Sequence, residues 1–444
     1  MNTVLGIVLV LGLMILVHEW GHFIIARLFG VRVDVFSIGF GPRIFGWKRG
    51  ATDYRISALP LGGYVRMAGQ DLTEIDSGEK GPTGAPDEVM SKKRWQRALI
   101  SFAGPAVNLI MPILLLGGFY VLRGYPYQKY LDFPVVVSNL SENGRLAKAG
   151  VMDGDKVVSI NGTQTTDWRK AYTALNELPT GQSFTVGVSH GGSSREVRIE
   201  SSDIKPTDRF FGNPPERAVI GQLTAGLPAK NAGMREGDLV VAVDGTPIHN
   251  WLQFVDLIKK SNGNALKVNV QRAGKPVSLE VHPVQDKDEE GQMTWRVGVG
   301  QQVDWAFREM SFAASVKTAT QETRDGTVNL LGVLGKLFTG KLSVRQLQGF
   351  VGIAVRAGQA VQSGPVDTIN LMAMISLNLG ILNLLPIPIL DGGHILLLSI
   401  EGVRRRDLSL AFKERFIQVG FVFLLLLFAF VMYNDVRHLL PLHT

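Results

Sequence analysis

Apolar residues along this chain are concentrated in a few long runs. The segments 98–122 and 368–390 contain no Asp, Glu, Lys, Arg or His, and 416–434 is a third such run. Each has about 20 residues or more, enough for a helix to cross a hydrocarbon core of ~30 Å. A fourth apolar run, 2–17, continues toward Ala26 but is interrupted by His18, Glu19 and His22. The pattern predicts four membrane-spanning helices, over 1–29, 97–122, 367–400 and 416–434.

The first of these runs has a second interpretation, a secretory signal peptide. It lacks a basic N-terminal region and a small-x-small cleavage site, so we favour a spanning helix. Ionisable residues inside such a helix cost ~2.5–3.5 kcal/mol each when charged, and they usually mark a functional site.

Lys and Arg near the span ends predict the orientation. The segment 30–96 and the loop 401–415 are rich in basic residues, nothing basic precedes the first span, and only Arg437 follows the last. We therefore expect both basic segments in the cytoplasm, with both termini, the tail 435–444 and the long segment 123–366 outside.

The outside segment contains an internal repeat. Residues 149–158 align with 232–241, and Asn161-Gly162 with Asp244-Gly245, at a constant offset. Each copy predicts a turn, a strand, a tight hairpin and a following helix. The pattern resembles PDZ domains of the bacterial protease type, predicted over 123–205 and 206–286. Their groove strands, near 134–137 and 219–222, either bind peptide ends by strand addition or are occluded, so that the pair acts as a steric gate.

Composition narrows the chemistry. The chain has 444 residues, of which 45% are hydrophobic and 19% charged, below the ~25% charged residues of a soluble domain. There is no cysteine, so a metal site must use the 8 His and the acidic residues. The net charge of +7 is explained largely by the cytoplasmic loops, so no nucleic-acid partner is required.

The first span carries the motif His18-Glu19-Trp20-Gly21-His22. Residues i and i+4 share one helix face, so both imidazoles can reach one Zn²⁺, and the intervening Glu can take a proton from water. Catalytic zinc needs a third protein ligand.

The third span supplies a candidate for that ligand. Pro386 and Pro388 break the helix, and Asp391 then lies at the end of an apolar run. Considered by itself, Asp391 would be explained as a helix-terminal residue beside the lipid headgroups. Together with the histidine motif in the first span, we interpret it as the third metal ligand. His394 is the rival ligand and ranks lower.

These paired motifs, His18–His22 and the run from Asn383 through Asp391-Gly392, resemble those of the site-2 protease family of intramembrane zinc metalloproteases. Four spans with tandem PDZ-like domains between the second and third resemble its proteobacterial branch. The resemblance covers essentially the whole chain. It implies one zinc ion per chain bound by His18, His22 and Asp391, water activation by Glu19, and contact of Asn383 with the substrate or the developing oxyanion.

The implied fold is a multi-pass α-helical membrane protein with four transmembrane helices, a membrane-re-entrant β-hairpin region and two periplasmic PDZ-like α+β domains. The implied location is the bacterial inner membrane, with the active site toward the cytoplasmic side. The implied substrates are single-span membrane proteins, such as trimmed anti-sigma factors of the envelope stress response, and signal-peptide remnants.

Two further segments fit the resemblance. Residues 102–108 resemble the family's second-span motif, in which small residues allow close helix packing; for Asn108 we favour a packing role over a bond across helices. Alternating stretches within 31–67 predict β-hairpins at the position of the re-entrant β-loop. Its sheet edge would hold an unwound substrate as an added strand, which assigns substrate binding to Gly39, Gly41, Gly62, Gly63 and Tyr64.

The segment 287–366 is predicted to be periplasmic and amphipathic. Its stretch 312–338 either lies on the outer membrane surface or packs on the second PDZ-like domain. Gly349-Phe350 stands where the family usually has Gly-Pro, which affects the local backbone rather than the chemistry. Two rival functions are a membrane scaffold without catalysis and a zinc transporter. Intact motifs argue against the first, and the lack of further ligands across the spans argues against the second.

Overall fold

The structure is a computed structural model that describes residues 6–69, 83–141, 143–200, 209–224, 226–287, 293–340 and 349–439. Part of the predicted cytoplasmic loop, 70–82, and the end of the predicted tail, 440–444, lie outside these ranges. The chain divides into a membrane unit, Met1–Tyr125 with Glu309–Thr444, and an outer unit, Pro126–Arg308.

The helices are numbered in chain order, and a π-helical turn, Ile7–Gly12, precedes the first. They are α1 Leu13–Leu28, α2 Arg94–Arg123, α3 Arg145–Lys148, α4 Trp168–Asn176, α5 Pro228–Asn231, α6 Trp251–Lys260, α7 Phe312–Phe338, α8 Phe350–Ser363, α9 Pro365–Asn383, α10 Asp391–Arg404 and α11 Leu410–Leu439.

The strands are numbered in the same way. They are β1 Val33–Arg49, β2 Thr52–Met67, β3 Tyr125–Gln128, β4 Lys156–Ile160, β5 Thr163–Gln164, β6 Phe184–His190, β7 Ser193–Ile199, β8 Ile220–Leu223, β9 Leu239–Val243, β10 Thr246–Pro247, β11 Leu266–Arg272, β12 Lys275–Val281, β13 Val284–Lys287, β14 Met293–Arg296, β15 Val299–Gln301 and β16 Trp305–Arg308.

Four helices of the described chain are long and apolar enough to cross a membrane. They span Val10–Leu28, Arg94–Arg123, Pro365–Asn383 and Ala411–Tyr433. The third is shorter than the predicted 367–400, because the prolines at 386 and 388 interrupt the helical hydrogen bonds and α10 begins anew at Asp391.

Small residues set the packing of these helices. Gly21 of α1 lies against the Ala103 carbonyl of α2, and Gly380 of α9 lies against Pro105 and Leu109. Any larger side chain at these two glycines would push the backbones apart, so the three helices that carry or support the site are held at close range.

A β-sheet follows α1. The first part of β1, 33–38, pairs with 63–67 on one side and 53–56 on the other, and 43–49 pairs with 52–57. The segment 63–67 is therefore at one edge of the sheet, and no second strand among the described residues pairs with it. Buried Val33, Val65 and Met67 pack with Ala26 of α1 and Ile100 of α2, which fixes the sheet beside the helices.

The amphipathic helix α7 packs on spanning helices. Tyr120 of α2 donates a hydrogen bond to Glu322 at 2.5 Å, Gly117 of α2 lies against Ala319, and Gly326 lies against Leu377 of α9. Neither predicted placement of this stretch, on the membrane surface or on the second PDZ-like domain, anticipated these contacts.

The outer unit contains two modules of the same topology, as the repeat predicts. Their sheets have the orders β5-β4-β6-β7 and β10-β9-β11-β12. Asp167 and Asn250 cap the equivalent helices α4 and α6, and Trp168 and Trp251 are buried in the equivalent cores.

The predicted groove strand of the second module is paired on both sides by the chain itself, whereas in the first module residues 134–137 are bridged on one side. Residue 219 bridges to Leu239 on one side, and β8 pairs with β15 on the other. In the first module, Val136 bridges to Lys156 and Ser138 to Gly212. Because β15 completes the second module after the β13–β14 hairpin, the outer unit extends to Arg308, beyond the predicted boundary of 286.

Candidate active site

His18 and His22 lie one turn apart on α1 and face the interior of the helix bundle. Each residue is 8% exposed, and their Nε2 atoms are 3.3 Å apart. The i, i+4 spacing of the motif therefore brings both imidazoles to one point, as the sequence predicts.

Asp391, in the first turn of α10, completes the cluster. Its Oδ2 is 3.3 Å from His18 Nε2, and its Oδ1 is 3.4 Å from His22 Nε2. Ligand atoms at ~2.0–2.1 Å from a tetrahedral zinc ion are ~3.3–3.4 Å from one another. The donor set and its spacing thus fit zinc, and these three residues form the candidate metal site of the described chain.

Groups on α2 orient both imidazoles. His22 Nδ1 is 2.7 Å from the Ile100 carbonyl, so it donates its proton there and leaves Nε2 free to bind a metal. The side-chain amide of Asn108, which is fully buried, is 3.3 Å from His18 Nδ1. Metal binding by Nε2 requires a protonated Nδ1, so the amide must turn its Oδ1 to that nitrogen. This rotation also gives the otherwise unpaired Oδ1 a partner.

Gly104 allows this approach of α2. A Cβ at this position would lie against His22 Nε2 and His18 Cε1. The small residues of the second-span motif therefore pack directly on the candidate ligands, and not merely on their helix.

Glu19 lies on α1 between the two histidines in sequence, and it faces the β-sheet. Its carboxylate accepts a hydrogen bond from the Val65 N–H, and its Cγ is 3.4 Å from the position that a Cβ on Gly63 would occupy. The edge segment 63–67 is thereby placed next to the candidate base.

Asn383, the last residue of α9, also reaches the cluster. Its Nδ2 is 3.3 Å from His18 Nε2. An amide here can donate a hydrogen bond to an oxygen held beside the ligand atoms.

The remaining residues predicted to bind substrate lie farther from Glu19 and the candidate ligands. Gly62 packs under the ring of Phe40, on which Tyr64 also stacks at 6.0 Å between centroids. Gly39, at φ +92°, approaches the Leu59 carbonyl. Gly41 lies in an open part of the turn. Of these predicted substrate contacts, the structure brings only Gly63 beside Glu19.

Two more placements bear on the sequence predictions. The rival ligand His394 is exposed and lies outside the metal-ligand cluster. Asn108, to which we assigned packing, contacts a candidate ligand; its position one turn after Gly104 on the same helix was the available signal.

Two helical imidazoles, a carboxylate and a neighbouring glutamate, inside a bundle of membrane-length helices, define a membrane-embedded metalloprotease. The comparison with known proteins gives the same class. The chain belongs to peptidase family M50, the site-2 proteases, whose family profile matches residues 6–427. It is a zinc metalloprotease of the site-2 type.

Relatives match it from end to end. The regulator of sigma-E protease RseP of Escherichia coli is 31% identical over 97% of this chain and 98% of its own. Protease RseP of Yersinia pestis is 31% identical with the same coverage. A Neisseria meningitidis protein whose name assigns it to the zinc metalloproteases is 32% identical over 99% of this chain and all of its own. A PDZ domain of an SdrC-like protein from Listeria monocytogenes matches 20% of this chain at 20% identity, with a TM-score of 0.17, too low to support any conclusion.

Proposed function

We propose that this protease cleaves peptide bonds within or near the transmembrane segment of single-span membrane proteins. One observation carries the proposal: ligand atoms of His18, His22 and Asp391 converge at zinc spacing beside Glu19, inside helices of membrane length. We assign one zinc ion per chain to these three residues.

When bound, zinc would polarise the scissile carbonyl and make a water nucleophilic at neutral pH. Glu19 takes the proton of the attacking water and transfers it to the leaving nitrogen. The Asn383 amide donates a hydrogen bond to the oxygen on which negative charge develops. Ile100 and Asn108 keep the imidazoles oriented through these steps.

The substrate is held in an extended form at the sheet edge. A helical substrate hides its peptide bonds in i→i−4 hydrogen bonds, so it must unwind before attack. At Gly63 and Tyr64 the sheet offers a strand edge beside Glu19, where an added strand would lie ~4.8 Å from its partner. Gly63 leaves room between this edge and Glu19, Gly62 precedes it in β2, and Gly39 and Gly41 shape the turn that presents it.

We place the sheet in the membrane as a re-entrant element. Large apolar side chains of the sheet are exposed, each by more than 40%: Phe40, Ile44, Phe45, Trp47 and Leu59. Together with the basic loops, this supports an inner-membrane protein with the active site toward the cytoplasm and with the termini and PDZ-like modules in the periplasm.

The substrates we propose are trimmed anti-sigma factors and signal-peptide remnants; the first are supported by a relative 31% identical to this chain that is named regulator of sigma-E protease. In the second module the predicted groove strand is paired on both sides by the chain itself. For that module this favours a filter that excludes bulky outer domains over peptide binding at the strand.

The test is cleavage of a tagged single-span substrate with and without a folded outer domain. Wild type should cleave only the trimmed form. Glu19→Gln should retain zinc but lose cleavage, and Asp391→Ala should lose both, whereas His394→Ala serves as the matched control and should retain both. Equal cleavage by wild type and Glu19→Gln would overturn the assignment; a non-catalytic scaffold or a transporter predicts no cleavage by any variant.

A further inference from the structure

A buried charge cluster lies at the end of α10 away from Asp391. Glu401 is 1% exposed, and its carboxylate contacts Lys413 Nζ of α11 at 2.6 Å and Arg97 Nη2 of α2 at 3.5 Å. It also accepts the Leu408 N–H at 3.1 Å. Arg97 and Lys413 are themselves only 12% and 14% exposed, and Glu401 is the buried carboxylate that contacts both of these cations.

This cluster joins the helix that carries Asp391 to the helix that orients the histidines. Asp391 and Glu401 are at opposite ends of α10, ~15 Å apart along the helix. Arg97 is one turn before Ile100, whose carbonyl holds His22. The prolines before Asp391 interrupt the hydrogen bonding that would otherwise fix α10 to α9. The first turn of α10 packs through Gly392 and Gly393 on the carbonyls of residues 384, 385 and 387, and beyond that turn its contacts with α2 and with this cluster set its position.

We propose that Glu401 is a positioning residue for metal binding. It fixes α10 lengthwise against α2 and so holds the Asp391 carboxylate within reach of His18 and His22. The inference rests on the zinc site proposed above. Removing the negative charge takes away the one buried carboxylate described in contact with Arg97 and Lys413, and the repulsion of these cations separates the ends of α2, α10 and α11.

The test compares Glu401→Gln with Asp407→Asn in the purified full chain. Asp407 pairs with Arg94 at 2.8 Å, links the same segments and also acts electrostatically on Arg97 and Lys413, but it is 68% exposed, which makes it the exposed-carboxylate control. We measure zinc affinity by competition with a chelator, the visible absorption spectrum of the Co²⁺-substituted protein, and thermal unfolding. We expect at least 10-fold weaker zinc binding and a changed Co²⁺ spectrum for Glu401→Gln, and less than a 2-fold change for Asp407→Asn.

A merely structural role would lower thermal stability and leave the zinc affinity and Co²⁺ spectrum of the folded protein unchanged, which would overturn the proposal. Adding Lys413→Gln to Glu401→Gln removes one of the two unbalanced cations and should recover part of the affinity. If Glu401→Gln does not fold, Arg97→Gln, which removes the contact between α2 and Glu401, should still shift the Co²⁺ spectrum, and an unchanged spectrum would refute positioning.

A further variant separates this inference from the zinc site beneath it. His18→Ala should abolish tight zinc binding. Zinc retained by His18→Ala would mean that the site itself is misassigned. Zinc lost by His18→Ala but retained at wild-type affinity by Glu401→Gln would mean that only the role of Glu401 is wrong.

Discussion

The packing of α2 on the histidines can be tested with Gly104→Ala. The new methyl group would lie against His22 Nε2 and His18 Cε1, where no space exists. Overpacking of this kind costs ~1–3 kcal/mol. The imidazoles cannot simply retreat, because His22 is also held by Ile100. Disturbed support of metal ligands typically costs ~10–100-fold in metal affinity, or about 1.4–2.8 kcal/mol. We therefore expect Gly104→Ala to bind zinc at least 10-fold more weakly than wild type.

The assay is the zinc content and zinc affinity of the purified variant, followed by cleavage of the trimmed substrate with zinc in excess. Gly118→Ala is the control, because it lies on the same helix and a Cβ there meets no atom within 4 Å. In an open helical position alanine is favoured over glycine by ~0.5–1 kcal/mol, so this control should be stable and active. Wild-type zinc affinity in Gly104→Ala would refute the packing argument.

Three other predictions concern separate parts of the chain. Asn108→Leu removes the partner of His18 Nδ1 and should weaken zinc binding ~10–100-fold; unchanged affinity in the chelator competition would contradict the orienting role. Gly63→Val narrows the space between the sheet edge and Glu19, so cleavage should fall at least 10-fold while zinc content stays at the wild-type value; wild-type turnover would argue against substrate at this edge. Burial raises the pKa of Asp238, but hydrogen bonds from Arg272 and the residue 235 N–H outweigh burial and hold the pKa below its ordinary value. The ionised pair therefore stabilises the second module above pH ~3.9, and this contribution is lost as pH falls through the lowered pKa. Asp238→Asn should lose ~1.5–3 kcal/mol of local stability near pH 6, measured by hydrogen exchange of β9 and β11 in the full chain, and this deficit should shrink at acid pH. The control Asp256→Asn, in an exposed pair, should change little, and a deficit independent of pH would contradict the reasoning.

The features that could be predicted from the sequence depend on local spacing. The i, i+4 histidines need only one helical turn, and Asp391 was identifiable because a histidine pair in one span requires a third ligand and Asp391 ends another apolar run. The repeat showed both modules, since duplicated residues keep their spacing.

Contacts across long stretches of chain were not predictable in the same way. β15 pairs with β8, the predicted groove strand of the second module, but it follows a hairpin, so this pairing could not be predicted from adjacency in sequence. In sequence, Asn108 is one polar residue in a span and Glu401 one charge at the start of a loop. Their roles depend on residues that the fold brings to them: His18 to Asn108, and Arg97 and Lys413 to Glu401. Whether a charged residue at a helix end, such as Glu401, is buried depends on partners that are distant in sequence, so its burial could not be predicted.

The candidate metal site draws its ligands from opposite ends of the polypeptide, and Asn383 is 365 residues from His18. At a synthesis rate of ~5–20 residues per second, the histidine pair emerges roughly 20–70 s before Asn383 and Asp391. During that interval the nascent chain holds only two of the three candidate metal ligands. The proposed zinc site therefore cannot be complete until the C-terminal helices have been made.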